Sequence, residues 1–193
     1  KTCPVLWIAP VRKPVYNQAD MGMTLTRPVE TLTLRPAAAE DTPGILALYA
    51  RPGAYLVTAP LPNPSSQVVS AALERAAQAQ GLYCVFELAG SVVGAIEFIP
   101  AGYQQEVRTA GVQQLLIQPG QPGLDSAALD VLEAMLIAWH VVQVCVDVHF
   151  NNPAALRFWQ GRGYGIIGGP ELQADQAVVY HLAKSLPLLP TPT

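Results

Sequence analysis

The chain has 193 residues, of which 51% are apolar and 13% are charged, so we expect one folded domain rather than two domains or a disordered chain. Its net charge of −3 and its scattered basic residues do not form the positive patch of a nucleic-acid-binding protein. No apolar run reaches the roughly 18 residues that cross a bilayer, and the first residues lack a signal-peptide pattern. The composition therefore predicts a soluble cytoplasmic protein with no nucleic-acid or membrane partner.

The cysteines predict neither a disulfide framework nor a metal site. Cys3, Cys84 and Cys145 are odd in number and form no C-x-x-C motif. Two of them lie in apolar, strand-like runs, where buried free thiols are more common than catalytic ones. We therefore expect no bound metal.

The first 30 residues have no sustained periodicity and contain four prolines, which predicts an extended arm. Residues 5–9 within it are typical of an edge strand. The sequence leaves open whether this arm packs on its own domain or at an interface. The folded domain is predicted over residues 31–184, and residues 185–193 form a C-terminal tail.

From residue 31 onward, strands and helices follow one another in a regular order. Strands are predicted where short apolar or β-branched runs end at turn residues, at residues 31–35, 82–88, 92–99, 107–118, 141–149, 164–168 and 176–182. Helices are predicted where apolar residues recur at helical spacing, between Asp41 and Arg51 and over residues 67–80, 125–139 and 153–162. Periodicity alone predicts a mixed α/β domain.

The most informative stretch is residues 144–164, VCVDVHFNNPAALRFWQGRGY. A β-rich run stops at Asn152-Pro153, and a short helical pattern continues to Gly163. With the element order over residues 31–184, this stretch resembles the GNAT (general-control-related N-acetyltransferase) superfamily. Asn152 stands at the family's Asn after strand five, and Trp159 stands where many members carry Tyr. The core positions of helix four match Ala155, Leu156 and Phe158.

The resemblance implies an α/β, GNAT-like (acyl-CoA N-acyltransferase) fold. Its mixed, mostly antiparallel sheet is splayed between strands four and five and flanked by helices. In this family the pantetheine arm of acetyl-CoA lies in the gap and binds backbone groups of strand four. The positions that the resemblance assigns to this cofactor contact are Leu115, Leu116, Ile117, Asn152, Ala155, Phe158 and Trp159.

The resemblance places the CoA diphosphate on the loop 118–127, where a helix begins and its free N–H groups favour an anion. The positions assigned to this contact are Gly123, Leu124, Asp125, Ser126 and Ala127. Of these positions only Ala127 fits the family pattern. Pro122 removes an N–H donor from the loop, and Asp125 adds a negative charge where the diphosphate would lie, so each should weaken cofactor binding. A second interpretation makes Asp125 or Ser126 an ordinary cap of helix three.

Acid and base groups depart from the family as well. The resemblance implies a carboxylate on strand four and a Tyr in helix four, but strand four has no carboxylate and Trp159 replaces the Tyr. Our catalytic candidates are Glu97, either a buried base or a solvent-exposed strand residue, and His149, either a base or a strand-end residue. Tyr103 and Glu106 precede strand four and either reach the acceptor or remain at the surface.

The resemblance implies an N-acetyltransferase that transfers acetyl from acetyl-CoA to a small-molecule or peptide primary amine. The alternative is a non-catalytic GNAT-like module that binds acyl-CoA weakly or binds a protein partner. An open gap beside Trp159 would favour the enzyme, whereas an indole that fills the gap would favour the module. The apolar N-terminal arm is compatible with a homodimer.

Overall fold

A computed structural model describes residues 7–10, 31–173 and 176–188. The strands of this part of the chain are β1 Trp7–Pro10, β2 Thr31–Pro36, β3 Leu82–Leu88, β4 Ser91–Ile99, β5 Thr109–Ile117, β6 Gln143–His149, β7 Gly165–Leu172 and β8 Val178–Ser185. Its α-helices are α1 Thr42–Tyr49, α2 Ser66–Gln78, α3 Leu124–Ala138 and α4 Pro153–Gly161. Because β1 precedes the predicted strand one, the predicted strands four and five are β5 and β6.

All these strands belong to one sheet with the order β1-β2-β3-β4-β5-β6-β8-β7. Neighbouring strands are antiparallel, except for β5 and β6, which are parallel. The strand β8 lies between β6 and β7, so the last hairpin folds back onto β6. The predicted mixed, mostly antiparallel sheet is confirmed.

Helices cover both faces of the sheet. The helices α1 and α2 pack on β3, β4 and β5, whereas α3 and α4 pack on the opposite face. Successive strand residues point to opposite faces. In β6, Val144, Val146 and Val148 enter the core beneath α3 and α4, so the alternation places Cys145 and Asp147 on the other face.

The predicted strand-Asn-Pro-helix unit is present. Asn152 is the N-cap of α4, and its side chain accepts a hydrogen bond from the Ala155 amide. The indole of Trp159 is completely buried and packs edge-on against Tyr164, with ring centroids 4.7 Å apart. The Tyr164 hydroxyl donates to Glu133 of α3 at 3.0 Å, which ties the end of α4 to the neighbouring helix.

Several smaller predictions can be compared with the structure. Cys84 and Cys145 are buried, as predicted, and neither forms a disulfide within the described residues; Cys3 lies outside them. Of the predicted edge strand 5–9, residues 7–9 belong to β1, which pairs with β2 at the sheet edge. Asp41 occupies the N-cap position of α1, but its side chain makes no cap hydrogen bond, because its carboxylate binds Arg35 and the Ala38 amide instead. The rest of the arm and residues 189–193 of the tail lie outside the described residues.

The helices of the described part are short or interrupted by polar residues. None of them is long and apolar enough to cross a membrane.

Candidate functional site

The strands β5 and β6 pair over only part of their length. Their parallel register begins at Thr109 and Gln143 and ends at Val112 and Val146. The pairing of β4 with β5 shifts register between Glu97 and Phe98, close to this point, and β-bulges of this kind usually bend a strand. Beyond Val112 and Val146 the two strands separate, and we call the space between them the fork.

The fork is occupied by residues 54–59 of the chain, which we call the crossing segment. It lies between α1 and α2, and Tyr55 forms an antiparallel bridge with Leu116 of β5. The Leu56 amide donates to the Leu115 carbonyl at 2.9 Å, and the His149 amide of β6 donates to the Val57 carbonyl at 3.1 Å. The backbone of the crossing segment therefore binds to both arms of the fork.

Side chains of the α4 region hold the crossing segment in place. The side-chain nitrogen of Asn152, Nδ2, donates to the backbone carbonyls of Tyr55 and Thr58, at 3.1 and 3.0 Å. The indole nitrogen of Trp159 donates to the Leu56 carbonyl. The side chains that the resemblance assigns to the pantetheine arm thus contact the crossing segment. Of the remaining assigned positions in α4, Ala155 is buried and Phe158 packs edge-on against Trp159.

The loop that leads into α3 has the conformation of a tight turn. Gly120 and Gly123 have φ values of +89° and +80°, which residues with a Cβ rarely adopt. Asp125 does not occupy the N-cap position, which belongs to Gly123, but its carboxylate accepts a hydrogen bond from the Ser126 amide at 2.7 Å. A carboxylate therefore already binds one of the helix-start amides at which we expect a diphosphate.

A small cleft lies beside this loop. Its volume is about 230 Å³, and it separates Gly53 and Leu56 from the loop 117–121 and Asp125. Pockets for drug-sized ligands usually measure about 300–1,000 Å³. With the crossing segment in the fork, the cleft has room for part of a CoA molecule but not for its whole length.

Glu97 is an internal ion-pair partner. It is 3% exposed, and its two oxygens accept hydrogen bonds from Arg75 of α2 at 3.0 and 2.6 Å. The expected solvent-exposed Glu97 is therefore not observed. Because Arg75 binds both oxygens, the geometry gives Glu97 the task of fastening α2 to β4 and offers no support for its predicted role as a base.

His149 also holds the crossing segment. Its Nδ1 accepts a hydrogen bond from the Ala59 amide at 3.2 Å. The lone pair at Nδ1 is thereby engaged, and the neutral ring carries its proton on Nε2. The geometry favours an anchoring role for His149, and its role as a base stays a prediction.

A group of polar side chains lies at the base of the fork. We call it the His181 cluster, and its members are Tyr103, Asp147, Glu171 and His181. Asp147 is the first β6 residue beyond the last parallel pair, and its Oδ2 accepts a hydrogen bond from the Tyr103 hydroxyl at 3.1 Å. Its Oδ1 lies 2.7 Å from Nδ1 of His181 in β8. The other ring nitrogen, Nε2, lies 3.0 Å from the carboxylate of Glu171 in β7.

The neighbours of each group set its protonation. Burial lowers the pKa of His181, but hydrogen bonds to Asp147 and Glu171 outweigh this effect, so that the pKa is raised and the imidazolium is favoured. Burial, with the Asp147 charge as a smaller contribution, raises the pKa of Tyr103 to about 12. Tyr103 therefore stays protonated near neutral pH and donates to Asp147.

Two positions show how the cluster forms. The Tyr103 ring lies so close to Gly111 of β5 that a Cβ on residue 111 would be 2.3 Å from the ring, which explains the glycine.

The cluster contains one of the residues that the sequence singled out. Tyr103, expected either at the acceptor or at the surface, joins the cluster, whereas Glu106 is exposed. Sequence reasoning missed Asp147, His181 and Glu171. A carboxylate inside the apolar run of β6 was the available signal.

We compared this geometry with known proteins. No family model matches the sequence, and no curated protein sequence matches it. Among solved structures, the aminoglycoside acetyltransferase AAC(6')-Ib in complex with coenzyme A and kanamycin is similar with a TM-score of 0.62 and 19% identity, over 80% of this chain and 94% of that chain.

Two further solved structures are similar to this chain over comparable lengths. The spermidine N-acetyltransferase from Vibrio cholerae, in complex with CoA and spermine, has a TM-score of 0.61 at 18% identity, over 80% of this chain and 95% of that chain. Ard1 from Thermoplasma volcanium has a TM-score of 0.59 at 17% identity, over 80% of this chain and 97% of that chain. The chain has the GNAT fold, and the predicted fold class is confirmed.

Proposed function

From the GNAT fold of this chain, we propose that it is an N-acetyltransferase, which transfers the acetyl group of acetyl-CoA to a primary amine. The fork is the observation that carries the proposal. Its β5 arm runs for about 17 Å from Val112 to Ile117, at about 3.4 Å per residue. The cleft beside the loop that leads into α3 lies at one end of this arm, and the His181 cluster lies at the other end. This arrangement suits an extended cofactor that meets its acceptor at the base of the fork.

The neighbours support this proposal through their ligands. Two of the similar structures contain coenzyme A together with an amine, spermine in one and kanamycin in the other. We propose acetyl-CoA as the co-substrate of this chain. The reaction needs an unprotonated amine, a polarised thioester carbonyl and a proton for the departing thiolate. Close positioning of the two reactants supplies a large part of such a rate.

The crossing segment must leave the fork before acetyl-CoA can lie along β5. Its six hydrogen bonds to Leu115, His149, Asn152 and Trp159 each contribute about 0.5–1.5 kcal/mol, so their loss costs roughly 3–9 kcal/mol. A change of about 1.4 kcal/mol alters affinity tenfold. We therefore expect acetyl-CoA to bind at least about a hundredfold more weakly than it would bind an open fork.

One observation favours a second candidate function, a non-catalytic GNAT-fold module. The buried Trp159 indole and the crossing segment fill the fork, which is the arrangement that we expect for the module. In that case the fork is structural, and the chain binds acyl-CoA weakly or binds a protein partner. The two candidates differ in whether the crossing segment can be displaced by acetyl-CoA.

A calorimetric titration with acetyl-CoA, followed by thiol release with a panel of primary amines, tests the proposal. The informative variant is Tyr55→Phe, because the Tyr55 hydroxyl anchors the crossing segment by donating to the Tyr49 carbonyl and accepting from the Leu61 amide. Loss of about 1 kcal/mol of anchoring should tighten acetyl-CoA binding roughly fivefold.

The matched control is Tyr83→Phe, because this buried phenol contacts the Tyr49 hydroxyl in the same aromatic group. We expect its affinity for acetyl-CoA to equal that of the wild type. Amine-dependent thiol release would support the enzyme. If neither the wild type nor Tyr55→Phe binds acetyl-CoA at millimolar concentration, the enzyme proposal is ruled out. Binding of acetyl-CoA without thiol release on any amine would favour the module.

A further inference from the structure

We propose that Asp147 binds the acceptor amine as a primary ammonium ion, and that Asp147, His181 and Glu171 carry its proton away to solvent. This inference rests on the proposed function and adds the position of the acceptor and the route of its proton. The reacting nitrogen would lie at the base of the fork, on the face opposite α3 and α4.

Asp147 has free capacity to bind a cation. An ionised carboxylate offers about four lone-pair sites, and the cluster uses one on each oxygen, through Tyr103 and His181. The Asp147 side chain is 30% exposed, so a ligand can reach it. Tyr103 is a positioning residue here, because its hydroxyl fixes one carboxylate oxygen while Gly111 leaves room for its ring.

His181 connects this site to solvent. Its ring lies between two carboxylates, and Glu171 at the outer end is 66% exposed. A neutral ring that donates from Nε2 to Glu171 presents the Nδ1 lone pair to Asp147. It can therefore receive a proton from Asp147 on one side and release a proton toward Glu171 on the other.

The proton route balances the reaction. The ammonium gives one proton to Asp147, which passes it to Nδ1 of His181, and the Nε2 proton leaves through Glu171 to water. The neutral amine then attacks the thioester carbon, so that a C–N bond forms and the C–S bond breaks. The second proton lost by the nitrogen protonates the departing thiolate. One acetamide, one thiol and one released proton result.

The charged groups around His181 set the sign of each expected effect. Within the described residues, Asp147 of β6 and Glu171 of β7 act on the His181 ring, and the Asp147 charge also acts on Tyr103 and Cys145. Both carboxylates stabilise the imidazolium. An ammonium ion bound at Asp147 offsets one of these charges, so it should lower the pKa of His181, as should the substitution Glu171→Gln.

The first experiment needs no acetyl-CoA. The ring protons of His181, assigned with H181Q, are titrated by NMR with and without n-propylamine. We expect the amine to lower the pKa of His181 in the wild type and to have no effect in D147N. Tetramethylammonium chloride at the same concentration, which has no N–H to donate, controls for ionic strength. An unchanged pKa in the wild type would overturn the amine site.

The second experiment measures kcat/KM against pH in the thiol-release assay. The acidic limb should follow deprotonation of His181, so E171Q should move this limb to lower pH, and it should also lower the maximum because the Nε2 proton loses its acceptor. D147N should lower kcat/KM by about 10²–10⁴-fold, which is the usual loss when a general base is removed. Glu106→Gln, at an exposed carboxylate outside the cluster, should change neither quantity.

The two experiments separate the possible failures. If n-propylamine shifts the pKa of His181 but no amine releases thiol, the acetyltransferase proposal fails and the amine site stands. If thiol is released but the acidic limb of E171Q does not move, the proton route fails and the acetyltransferase proposal stands. A misfolded D147N would leave the E171Q result decisive, because Glu171 is exposed.

Discussion

The two halves of the fork satisfy their polar groups in different ways. The half that we propose for the cofactor, here called the cofactor half, comprises Leu115–Ile117, Asn152 and Trp159, and its backbone and side-chain groups bind the crossing segment. The half that we propose for the acceptor, here called the acceptor half, is the His181 cluster, whose side chains bind one another and remain partly open to solvent. The backbone edge of a strand can pair with any extended peptide, including one from the same chain. A histidine between two carboxylates instead leaves lone pairs on those carboxylates, which can bind a cation.

The largest expected effect tests whether the cofactor half is packed like a core. Trp159→Ala removes a completely buried indole that also binds Leu56, and we expect a loss of about 3–5 kcal/mol in the free energy of unfolding in urea. Trp139→Ala, at a half-buried indole that follows α3, should cost clearly less. If Trp159→Ala costs under about 1.5 kcal/mol, the cofactor half is looser than the structure indicates.

A smaller effect is expected where the cofactor half is held by a single side chain. Asn152→Ala removes the α4 cap, worth about 1 kcal/mol, and two hydrogen bonds to the carbonyls of Tyr55 and Thr58. We expect a total loss of about 2–4 kcal/mol in urea unfolding. The neighbouring Asn151 is exposed, and Asn151→Ala should stay within about 0.5 kcal/mol of the wild type. Equal losses in both variants would contradict the anchoring role of Asn152.

The smallest expected effect tests the charge of the acceptor half. The folded pKa of His181 is raised above its ordinary value of 6.5, so the ion pairs contribute stability that is complete below this pH and is lost as the pH rises through the folded pKa. For partly exposed pairs we expect a contribution of about 0.5–1 kcal/mol. Urea unfolding across this pH range should show the loss in the wild type and not in H181Q.

His140→Gln is the control for this measurement, because His140 is exposed and lies outside the cluster. Its pH dependence should match that of the wild type. The comparison between the two halves would be wrong if H181Q retained the full pH dependence, because the acceptor half would then carry no titrating ion pair.

Much of the fold could be predicted because its signals are local. Strand alternation, the Asn152-Pro153 break and the glycines after helices each fix the backbone within a few residues. The site could be predicted only in part. The resemblance placed Asn152 and Trp159 beside the gap, but the sequence could not show that the crossing segment fills the gap. Residues 54–59, AYLVTA, are a short β-prone run, and such a run does not specify which strands it pairs with.

The sequence by itself determined the order of helices and strands, the buried cysteines and the resemblance to the GNAT fold. Only the tertiary structure decided which partners Glu97 and Asp147 bind, because those partners are distant along the chain. Arg75 of α2 binds Glu97 within the fold, whereas Tyr103 and His181 leave Asp147 a site for another cation. Hydrogen bonds and charges act over a few ångströms in space, and folding sets which residues lie within that distance.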